Sequence, residues 1–235
     1  MVKALIAITS YNEVFYQDGA RAGVFVVEAL HPYEVLREKG VEVDFVSETG
    51  KFFGWDEHSL STDFLKAKDR EIIEKSESSF MKAIRNVKKP SELNVKDYQI
   101  FFASGGHGAS YDFPRSPHLQ KLVADVSANG GVIGAVCHGP AIFDNLKTLE
   151  GNIFIKGKKL TGFTDEGEEI LNLAQIMKDK GMKTIKQVAD TNGATYVQPA
   201  DPWGSFVVVD GKLVTGVNPA SAAETAAKTV ETLKH

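Results

Sequence analysis

The first fifty residues follow a strand, helix, strand pattern, which restricts the chain to a small set of folds. An apolar, β-rich run covers residues 2–9, and apolar positions recur with helical spacing over residues 23–40. Residues 41–47 then alternate between apolar and polar side chains, as a half-buried strand does. Two strands joined by a helix form a βαβ unit, which implies parallel strands and a right-handed crossover. The pattern therefore predicts an α/β fold around a parallel sheet.

The same alternation of strands and helices returns in the second part of the chain. Apolar runs predict strands at residues 98–103, 131–136 and 159–163. Helices are predicted at residues 119–126, directly after Pro140, and at residues 167–180, 184–191 and 219–233. Two apolar segments around Asp210 and Gly211 are typical of a β-hairpin with a type I′ turn. We predict a flavodoxin-like three-layer sandwich with a parallel central sheet, in a single domain over residues 1–235.

Residues 48–93 interrupt this alternation of strands and helices. Glycine and aromatic residues predict a loop at the start of the segment, and a polar helical stretch follows over residues 63–87. The segment is too polar to bury a core of its own. We therefore predict that it is a helical cap inserted into the α/β domain.

Composition excludes several classes of protein. A net charge of -4, with both signs mixed along the chain, argues against nucleic-acid binding, which needs a basic surface. One cysteine cannot form an intramolecular disulfide, and the longest apolar runs are too short to span a membrane. The histidines show neither an H-E-x-x-H motif nor Cys–His ligand spacing, so no metal site is expected. We expect a cytoplasmic protein that could also enter the nucleus.

The most informative motif lies at residues 134–140, where a predicted strand ends at a cysteine. The strand delivers Cys137 to its carboxyl end, which is where open parallel sheets bind their ligands. Gly139 permits a sharp turn and Pro140 suits the first turn of a helix, so the segment has the layout of a nucleophile elbow. A helix dipole and a nearby imidazolium would favour the thiolate. A cysteine in an apolar run is usually an inert core residue, and here the order of its neighbours favours a nucleophile.

Three further segments place polar groups near the same edge of the predicted sheet. The glycine-rich turn at residues 104–108 exposes backbone N–H groups that can bind an oxyanion, although a plain βα turn explains it equally well. An acid within residues 165–169 could orient His138, while the helix dipole alone accounts for some of these carboxylates. Glu28 has apolar neighbours in the first helix. If it faces the sheet it would be protonated and could hydrogen-bond a sulfur, and otherwise it points to solvent.

Together these segments resemble the DJ-1/PfpI superfamily. More narrowly, they resemble its Hsp31-like branch, which contains the glutathione-independent (class III) glyoxalases of fungi. The resemblance extends over almost the whole chain, and the segments that carry it are residues 5–12, 18–19, 23–32, 43–50, 54–56, 102–104, 106–108, 135–140, 161–164 and 215–219.

The resemblance implies a homodimer with no metal or organic cofactor and a Cys–His–Glu constellation. By motif position, the implied site residues are Cys137 as nucleophile, His138 as base, Glu168 as the acid, Glu28 beside the sulfur, and Gly106 and His107 in the loop that binds oxyanion and substrate. The backbone amides of Gly106 and His138 are the implied oxyanion donors. Glu169 directly follows Glu168, so the choice of acid depends on motif alignment alone.

The function implied is the conversion of 2-oxoaldehydes, methylglyoxal above all, to D-lactate through a hemithioacetal on Cys137. The same chemistry on glycated protein side chains would make the protein a deglycase, and a peptidase is a weaker alternative. A redox sensor would use the same sulfur.

A stress-induced holdase chaperone with misfolded client proteins is an alternative of a different class. It would need an exposed apolar patch. The candidate members of such a patch are Phe52, Phe53, Trp55, Tyr111 and Phe113. Packing in loops or around a pocket would explain these aromatics equally well, and we favour that interpretation.

Overall fold

A six-stranded sheet forms the centre of the computed structural model, which describes residues 1–234. The strands of the chain are β1 (Lys3–Ala7), β2 (Glu42–Val46), β3 (Ile100–Ala103), β4 (Val132–Val136), β5 (Lys159–Leu160), β6 (Thr195–Tyr196), β7 (Val207–Asp210) and β8 (Leu213–Gly216). The central sheet has the order β2-β1-β3-β4-β8-β7, in which only β7 runs antiparallel. The five parallel strands have the flavodoxin-like order, so the predicted fold class is confirmed.

Helices cover both faces of this sheet. They are α1 (Val26–Glu38), α2 (Ala67–Glu74), α3 (Ser79–Arg85), α4 (His107–Asp112), α5 (Pro117–Ala128), α6 (Asp165–Ile170), α7 (Ala174–Asp179), α8 (Ile185–Thr191) and α9 (Ala222–Leu233). Side chains of α1, α3 and α9 share one buried cluster, and those of α5 and α8 share the other. Among the described residues, none of the helices is long and apolar enough to cross a membrane.

The alternation of side chains along each strand divides the core into two layers. Leu5 and Phe101 belong to the cluster under α5, whereas their neighbours Ile6 and Phe102 belong to the cluster under α1 and α9. Because both faces are buried, the central strands consist almost entirely of apolar residues, as in other parallel sheets. This packing fixes the carboxyl ends of β1, β3, β4 and β8 side by side.

The segment predicted as one polar helix over residues 63–87 is two helices. The Ser78 hydroxyl accepts a hydrogen bond from the Met81 N–H at 3.2 Å and caps α3, so a new helix begins there. Phe80, Met81 and Ile84 of α3 are buried beside β2, so the segment contributes to the core more than its polar composition indicates. The division into one domain with a cap over residues 48–93 remains a prediction.

Four other local predictions need correction. The strand predicted at residues 159–163 has two residues and pairs with β6, outside the central sheet. The helix predicted at residues 167–180 is divided into α6 and α7, with Asn172 at positive φ between them. Pro140 lies in a short 3₁₀ helix rather than an α-helix. The hairpin turn has positive φ at Gly211 but not at Lys212, and a type I′ turn requires it at both positions.

Candidate active site

Cys137 lies on a sharp turn at the end of β4, as the motif predicts. Its backbone has φ of 58°, in the left-handed region that costs a residue with a side chain roughly 1–2 kcal/mol. Two hydrogen bonds hold this conformation, since the Cys137 N–H donates to the Gly216 carbonyl and its carbonyl accepts from the Phe163 N–H, both at 2.9 Å. A side chain at Gly139 would lie 2.3 Å from the Ala103 carbonyl oxygen, so the turn requires glycine there.

The thiol lies at the base of a cavity that opens to the surface of the molecule. Cys137 is 4% exposed and lines a cavity of about 650 Å³, together with Gly106, His107, His138 and Phe163. Strand ends and the loops that follow them therefore bring the predicted nucleophile and its predicted neighbours to one place.

His138 connects the thiol to Glu168. The Cys137 Sγ lies 3.2 Å from His138 Nδ1, and His138 Nε2 lies 2.6 Å from Glu168 Oε1. The Thr164 hydroxyl accepts from the Gly167 N–H at 2.8 Å and caps α6, which turns Glu168 into the interior and leaves Glu169 exposed. The structure thus brings Glu168, and not Glu169, to the imidazole.

The protonation state of His138 differs from the one expected. Burial and the neighbouring His107 ring lower the pKa of His138 to about 4. The ring is therefore neutral at neutral pH and does not itself supply the nearby imidazolium that the motif predicts. Its Nε2–H donates to the carboxylate of Glu168, so Nδ1 presents a lone pair to the thiol. His138 is placed as a base, not as a cation that stabilises a thiolate.

A second series of hydrogen bonds reaches Glu168 from the opposite side, through His107, Tyr16 and Asp56. His107 Nε2 lies 2.9 Å from Glu168 Oε2, and His107 Nδ1 lies 3.3 Å from the Tyr16 hydroxyl oxygen. The Tyr16 hydroxyl donates to Asp56 Oδ2 at 2.7 Å. The Asp56 carboxylate also accepts two backbone N–H groups of the turn that follows it. A continuous hydrogen-bonded chain thus runs from Asp56 to Cys137.

The directions of these hydrogen bonds determine the charge of His107. Tyr16 has one hydroxyl proton and gives it to Asp56, so its oxygen is left to accept from His107 Nδ1–H. His107 then donates from both ring nitrogens and is an imidazolium. Although burial opposes a charge on the ring, the Glu168 carboxylate raises the pKa of His107. In return, and again against burial, the two imidazoles hold the pKa of Glu168 well below its usual value.

Tyr16 and Asp56 are the site residues that the sequence motifs did not indicate. Tyr16 lies in a loop before α1 and carries no local signal, while Asp56 belongs to a segment of the family resemblance without an assigned role. His107 lines the cavity as predicted, but both of its ring nitrogens are engaged by Tyr16 and Glu168. We therefore interpret His107 as a residue that positions Glu168.

Glu28 lies in the first turn of α1 and is fully buried beside the sulfur. Burial raises the pKa of Glu28 to about 8, and its carboxyl interacts with the Cys137 thiol and the Gly105 N–H. Neither of its oxygens has a partner within ordinary hydrogen-bond geometry among the described residues. Of the two orientations open to Glu28 from the sequence, the structure has the one that faces the sheet.

The thiol has the opposite pKa shift from the one predicted. Burial, followed by the nearby Glu28 carboxyl, raises the pKa of Cys137 well above its usual value, although the Gly106 N–H opposes the shift. A low-pKa thiolate in the resting protein is therefore wrong. Because ionisation of either group disfavours ionisation of the other, the Glu28–Cys137 pair keeps at least one proton at neutral pH.

The turn after β3 needs glycine because its backbone lies close to the side chains of Glu28 and Cys137. A Cβ at Gly105 would lie 2.2 Å from Glu28 Oε2 and 2.8 Å from Cys137 Cβ. Gly106 has φ of 95°, and its N–H is directed at the sulfur. These contacts favour the functional interpretation of the turn over that of a plain βα connection.

His107, His138 and Glu168 also form a set of donor atoms that could hold a metal ion, with these atoms within 4.8 Å of one another. Their pairwise contacts of 2.6 and 2.9 Å are hydrogen-bond distances. Ligands around a tetrahedral zinc ion at about 2.0 Å lie roughly 3.3 Å apart, so the observed geometry fits shared protons better. Sequence spacing gave no sign of this set because its members come from three separate segments.

The Tyr16→Phe variant tests the hydrogen bonds that connect Asp56 to His107. We expect kcat/KM to fall by about tenfold and the free energy of unfolding by roughly 1–3 kcal/mol, since Asp56 loses a donor and His107 loses its acceptor. Loss of the Tyr16 oxygen also removes an acceptor from the His107 imidazolium and lowers the pKa of His107. The limb of the rate against pH that reports this group should therefore move to lower pH. The matched control is Tyr196→Phe, which removes the hydrogen bond to the Gly162 carbonyl at 2.8 Å. Both variants are compared by chemical denaturation and by rate against pH. Equal pH profiles for the two would contradict the role of Tyr16.

Comparison with known proteins matches nearly the whole chain to one family. The DJ-1/PfpI family model matches residues 20–232. The chain is 56% identical to Glyoxalase 3 of Candida albicans over 96% of each chain. It is 54% identical to the glutathione-independent glyoxalase HSP31 of Saccharomyces cerevisiae, over 99% of this chain and 98% of that one.

A solved structure also matches nearly the whole chain. The crystal structure of glyoxalase III from Candida albicans superimposes with a TM-score of 0.96 at 55% identity, covering 98% of this chain and 97% of that one. Sequence and fold thus agree over nearly the whole length of the molecule. The chain belongs to the DJ-1/PfpI family.

Proposed function

We propose that the protein is a glutathione-independent glyoxalase that converts methylglyoxal to D-lactate with its own cysteine as the thiol. The observation that carries this proposal is the contact of 3.2 Å between the Cys137 thiol and the free Nδ1 of a neutral His138, inside a cavity. The relatives with 54% and 56% identity carry the corresponding names. No resident cofactor is needed for the steps below.

The first step is addition of the thiol to the aldehyde carbon. The S–C bond forms while the C=O π pair moves to oxygen, and the thiol proton passes to His138 Nδ1 and then to that oxygen. The Gly106 N–H faces the sulfur and can donate to the developing oxyanion, and we propose the His138 backbone amide as the second donor. The product is a hemithioacetal that carries a ketone at the next carbon.

The second step moves a proton from the first carbon to the second. We propose the ionised form of Glu28 as the carrier, because the carboxyl lies beside the sulfur and neither of its oxygens has a hydrogen-bond partner among the described residues. With a pKa of about 8, roughly a tenth of Glu28 is in this form at pH 7. Loss of the carbon-bound proton gives an enediolate, in which the hydroxyl proton passes from the first oxygen to the second. Return of the carbon-bound proton to the second carbon then leaves a thioester and a secondary alcohol. One carbon is oxidised and its neighbour is reduced, so no external oxidant or reductant takes part. Water, deprotonated by His138, then cleaves the thioester and restores the thiol.

The activity itself is the first test. In a buffer free of added thiol, we expect the purified protein to consume methylglyoxal and release lactate in equal amounts. The chain has one cysteine, so the Cys137→Ser variant, which lacks the proposed nucleophile, provides a matched inactive sample. A folded, unmodified protein that forms no lactate would overturn the proposal. Release of free lysine or arginine side chains from a glycated peptide, without activity on free methylglyoxal, would instead support the deglycase alternative.

The structure does not support the apolar patch considered for a chaperone. Phe113 is fully buried, and Phe52 packs on Trp55 with ring centroids 4.6 Å apart. Trp55 in turn stacks on Phe80 in the core. Of the five candidate aromatics, only Phe53 has an exposed side chain, at 51%. A homodimer, which the family resemblance implies, remains a proposal.

A further inference from the structure

The Tyr16 hydroxyl makes the longest contact in the series of hydrogen bonds that reaches Glu168 through His107. Its oxygen lies 3.3 Å from His107 Nδ1, whereas the other hydrogen bonds of the series measure 2.7 and 2.9 Å. A hydrogen bond of this length is lost on a small rotation of the phenol ring, because its strength falls steeply with distance and angle. The orientation of Tyr16 therefore determines whether His107 keeps its acceptor.

No helix or strand fixes the side chain of Tyr16. The residue lies in the connection between β1 and α1. A backbone turn forms there, in which the Gly19 N–H donates to the Tyr16 carbonyl at 3.0 Å. Such a turn fixes the main chain but leaves the torsion angles of the phenol side chain free. Contacts from other parts of the chain must set the orientation of the ring.

The imidazole of His58 covers one face of the Tyr16 ring. The two rings are stacked, with centroids 3.8 Å apart and 25° between their planes. The backbone N–H of His58 donates to Asp56 Oδ1 at 3.0 Å, and the other oxygen of that carboxylate accepts from the Tyr16 hydroxyl. Asp56 thus places both members of the stack, one through its backbone and the other through its side chain.

Asp18 fixes the outer edge of the imidazole. His58 Nε2 lies 2.8 Å from Asp18 Oδ2 and donates to it. Asp18 belongs to the same turn as Tyr16, and its Oδ1 accepts the Ala20 N–H at 3.0 Å. The Ala20 N–H and the His58 ring lower the pKa of Asp18, so this carboxylate is ionised at neutral pH. The turn that carries Tyr16 therefore also carries the acceptor that holds the imidazole in place.

A role in folding alone does not account for this pair. The side chains of His58 and Asp18 are 43% and 62% exposed, and both line the cavity. An ion pair with this exposure contributes little to the stability of a fold. The pair nevertheless holds a ring flat against a tyrosine that is buried and hydrogen-bonded to His107. Its placement is therefore better explained by the orientation of that tyrosine.

We propose that His58 is a positioning residue, which holds the Tyr16 ring at the angle that its hydroxyl needs to accept from His107. Asp18 holds the imidazole of His58 in turn. His58 then acts on the thiol only through Tyr16 and the groups that follow it in the series. The consequence for catalysis rests on the proposed glyoxalase function, whereas the effect on the charge of His107 does not.

A double-mutant cycle with Tyr16→Phe tests this proposal by activity. We expect His58→Ala to lower kcat/KM for methylglyoxal by about two- to tenfold, the range expected for loss of one aromatic contact. His58→Phe keeps a ring over Tyr16 and should retain most of the activity. In the Tyr16→Phe background, His58→Ala should cause no further loss, because the hydroxyl that His58 positions is absent.

The charge of His107 gives a second measurement, which does not depend on activity. NMR titration of the histidine rings should show the midpoint of His107 about half a pH unit lower in His58→Ala than in the unmodified protein, because the imidazolium loses its acceptor. His118→Ala is the matched control. Its ring also contacts a carboxylate, that of Glu48 at 2.5 Å, and does not line the cavity. This variant should change neither kcat/KM nor the midpoint of His107.

The outcomes separate this inference from the proposed function. A further loss of activity on His58→Ala in the Tyr16→Phe background, or an unchanged His107 midpoint in folded His58→Ala, would overturn the inference while the glyoxalase proposal stands. If no folded protein forms lactate, the glyoxalase proposal fails, and the His107 midpoint still decides the role of His58. Should His58→Ala not fold, Asp18→Ala releases the imidazole and should lower the same midpoint by a smaller amount.

Discussion

The Cys137→Ser variant is expected to lose at least about a thousandfold in kcat/KM for methylglyoxal. Serine keeps the shape of the elbow and its hydrogen bonds to neighbouring strands. Its hydroxyl is a far weaker nucleophile than a thiol and gives an ester in place of a thioester. His138, placed to accept the thiol proton, cannot compensate for that difference. Lactate formation in thiol-free buffer provides the measurement.

Stability measurements distinguish loss of chemistry from loss of structure. The left-handed backbone at residue 137 is held by hydrogen bonds to the Gly216 carbonyl and the Phe163 N–H, neither of which involves the side chain. The free energy of unfolding of Cys137→Ser should therefore stay within about 1 kcal/mol of that of the unmodified protein. A variant with normal stability and more than a tenth of the original activity would contradict the covalent mechanism.

The Glu28→Gln variant is expected to be more stable than the unmodified protein, by an amount that depends on pH. The folded protein holds Glu28 with a pKa of about 8, against 4.5 as its ordinary value, because the side chain is fully buried. Between these two pH values the folded state binds a proton that the unfolded chain has released, so the free energy of unfolding falls as pH rises. At pH 7 this loss is about 3 kcal/mol. Glutamine resembles the protonated acid and does not titrate, so the variant does not undergo this loss of stability.

Thermal unfolding of the two proteins at several pH values measures this effect. The difference in Tm should be small near pH 4.5 and reach roughly 6–12 °C by pH 7. Glu169→Gln is the matched control, since the same substitution at an exposed position of α6 should not produce this trend. A difference between Glu28→Gln and the unmodified protein that is constant with pH would show that Glu28 ionises normally in the folded state.

The same variant should lose catalytic activity despite its greater stability. Glutamine cannot carry the proton between the two carbons, so the hemithioacetal would form and stop there. A buried carboxyl with no hydrogen-bond partner among the described residues reduces the stability of the fold, and it keeps beside the sulfur a group that can both give and take up a proton near neutral pH.

The fold and the centre of the site could be predicted because their signals are local. Apolar runs in β1, β3 and β4 identify buried parallel strands, and the elbow at Cys137 is recognisable from the small residues around it. Each of these features is specified within a few residues of sequence. Glu168 is different, because its choice over Glu169 depended on the family resemblance, and the Thr164 cap that turns it inward is seen only in the folded chain.

The rest of the site depends on contacts between distant segments. Tyr16 and Asp56 are separated by 40 residues and meet only in the folded chain, where they set the charge of His107. The protonation states were also inaccessible to motif analysis, because burial reverses the pKa shift expected for Cys137 and leaves His138 neutral. Burial is a property of the whole fold, and a motif of seven residues does not specify it.

The proton kept by the Glu28–Cys137 pair has a consequence for which reagents the sulfur attacks. A peroxide must meet a thiolate, and that form is scarce at neutral pH in this environment. An aldehyde needs no such preionised form, since its own oxygen takes up the proton as the carbon–sulfur bond closes. We therefore expect the buried acid to slow the reaction of the sulfur with oxidants more than its addition to carbonyl compounds.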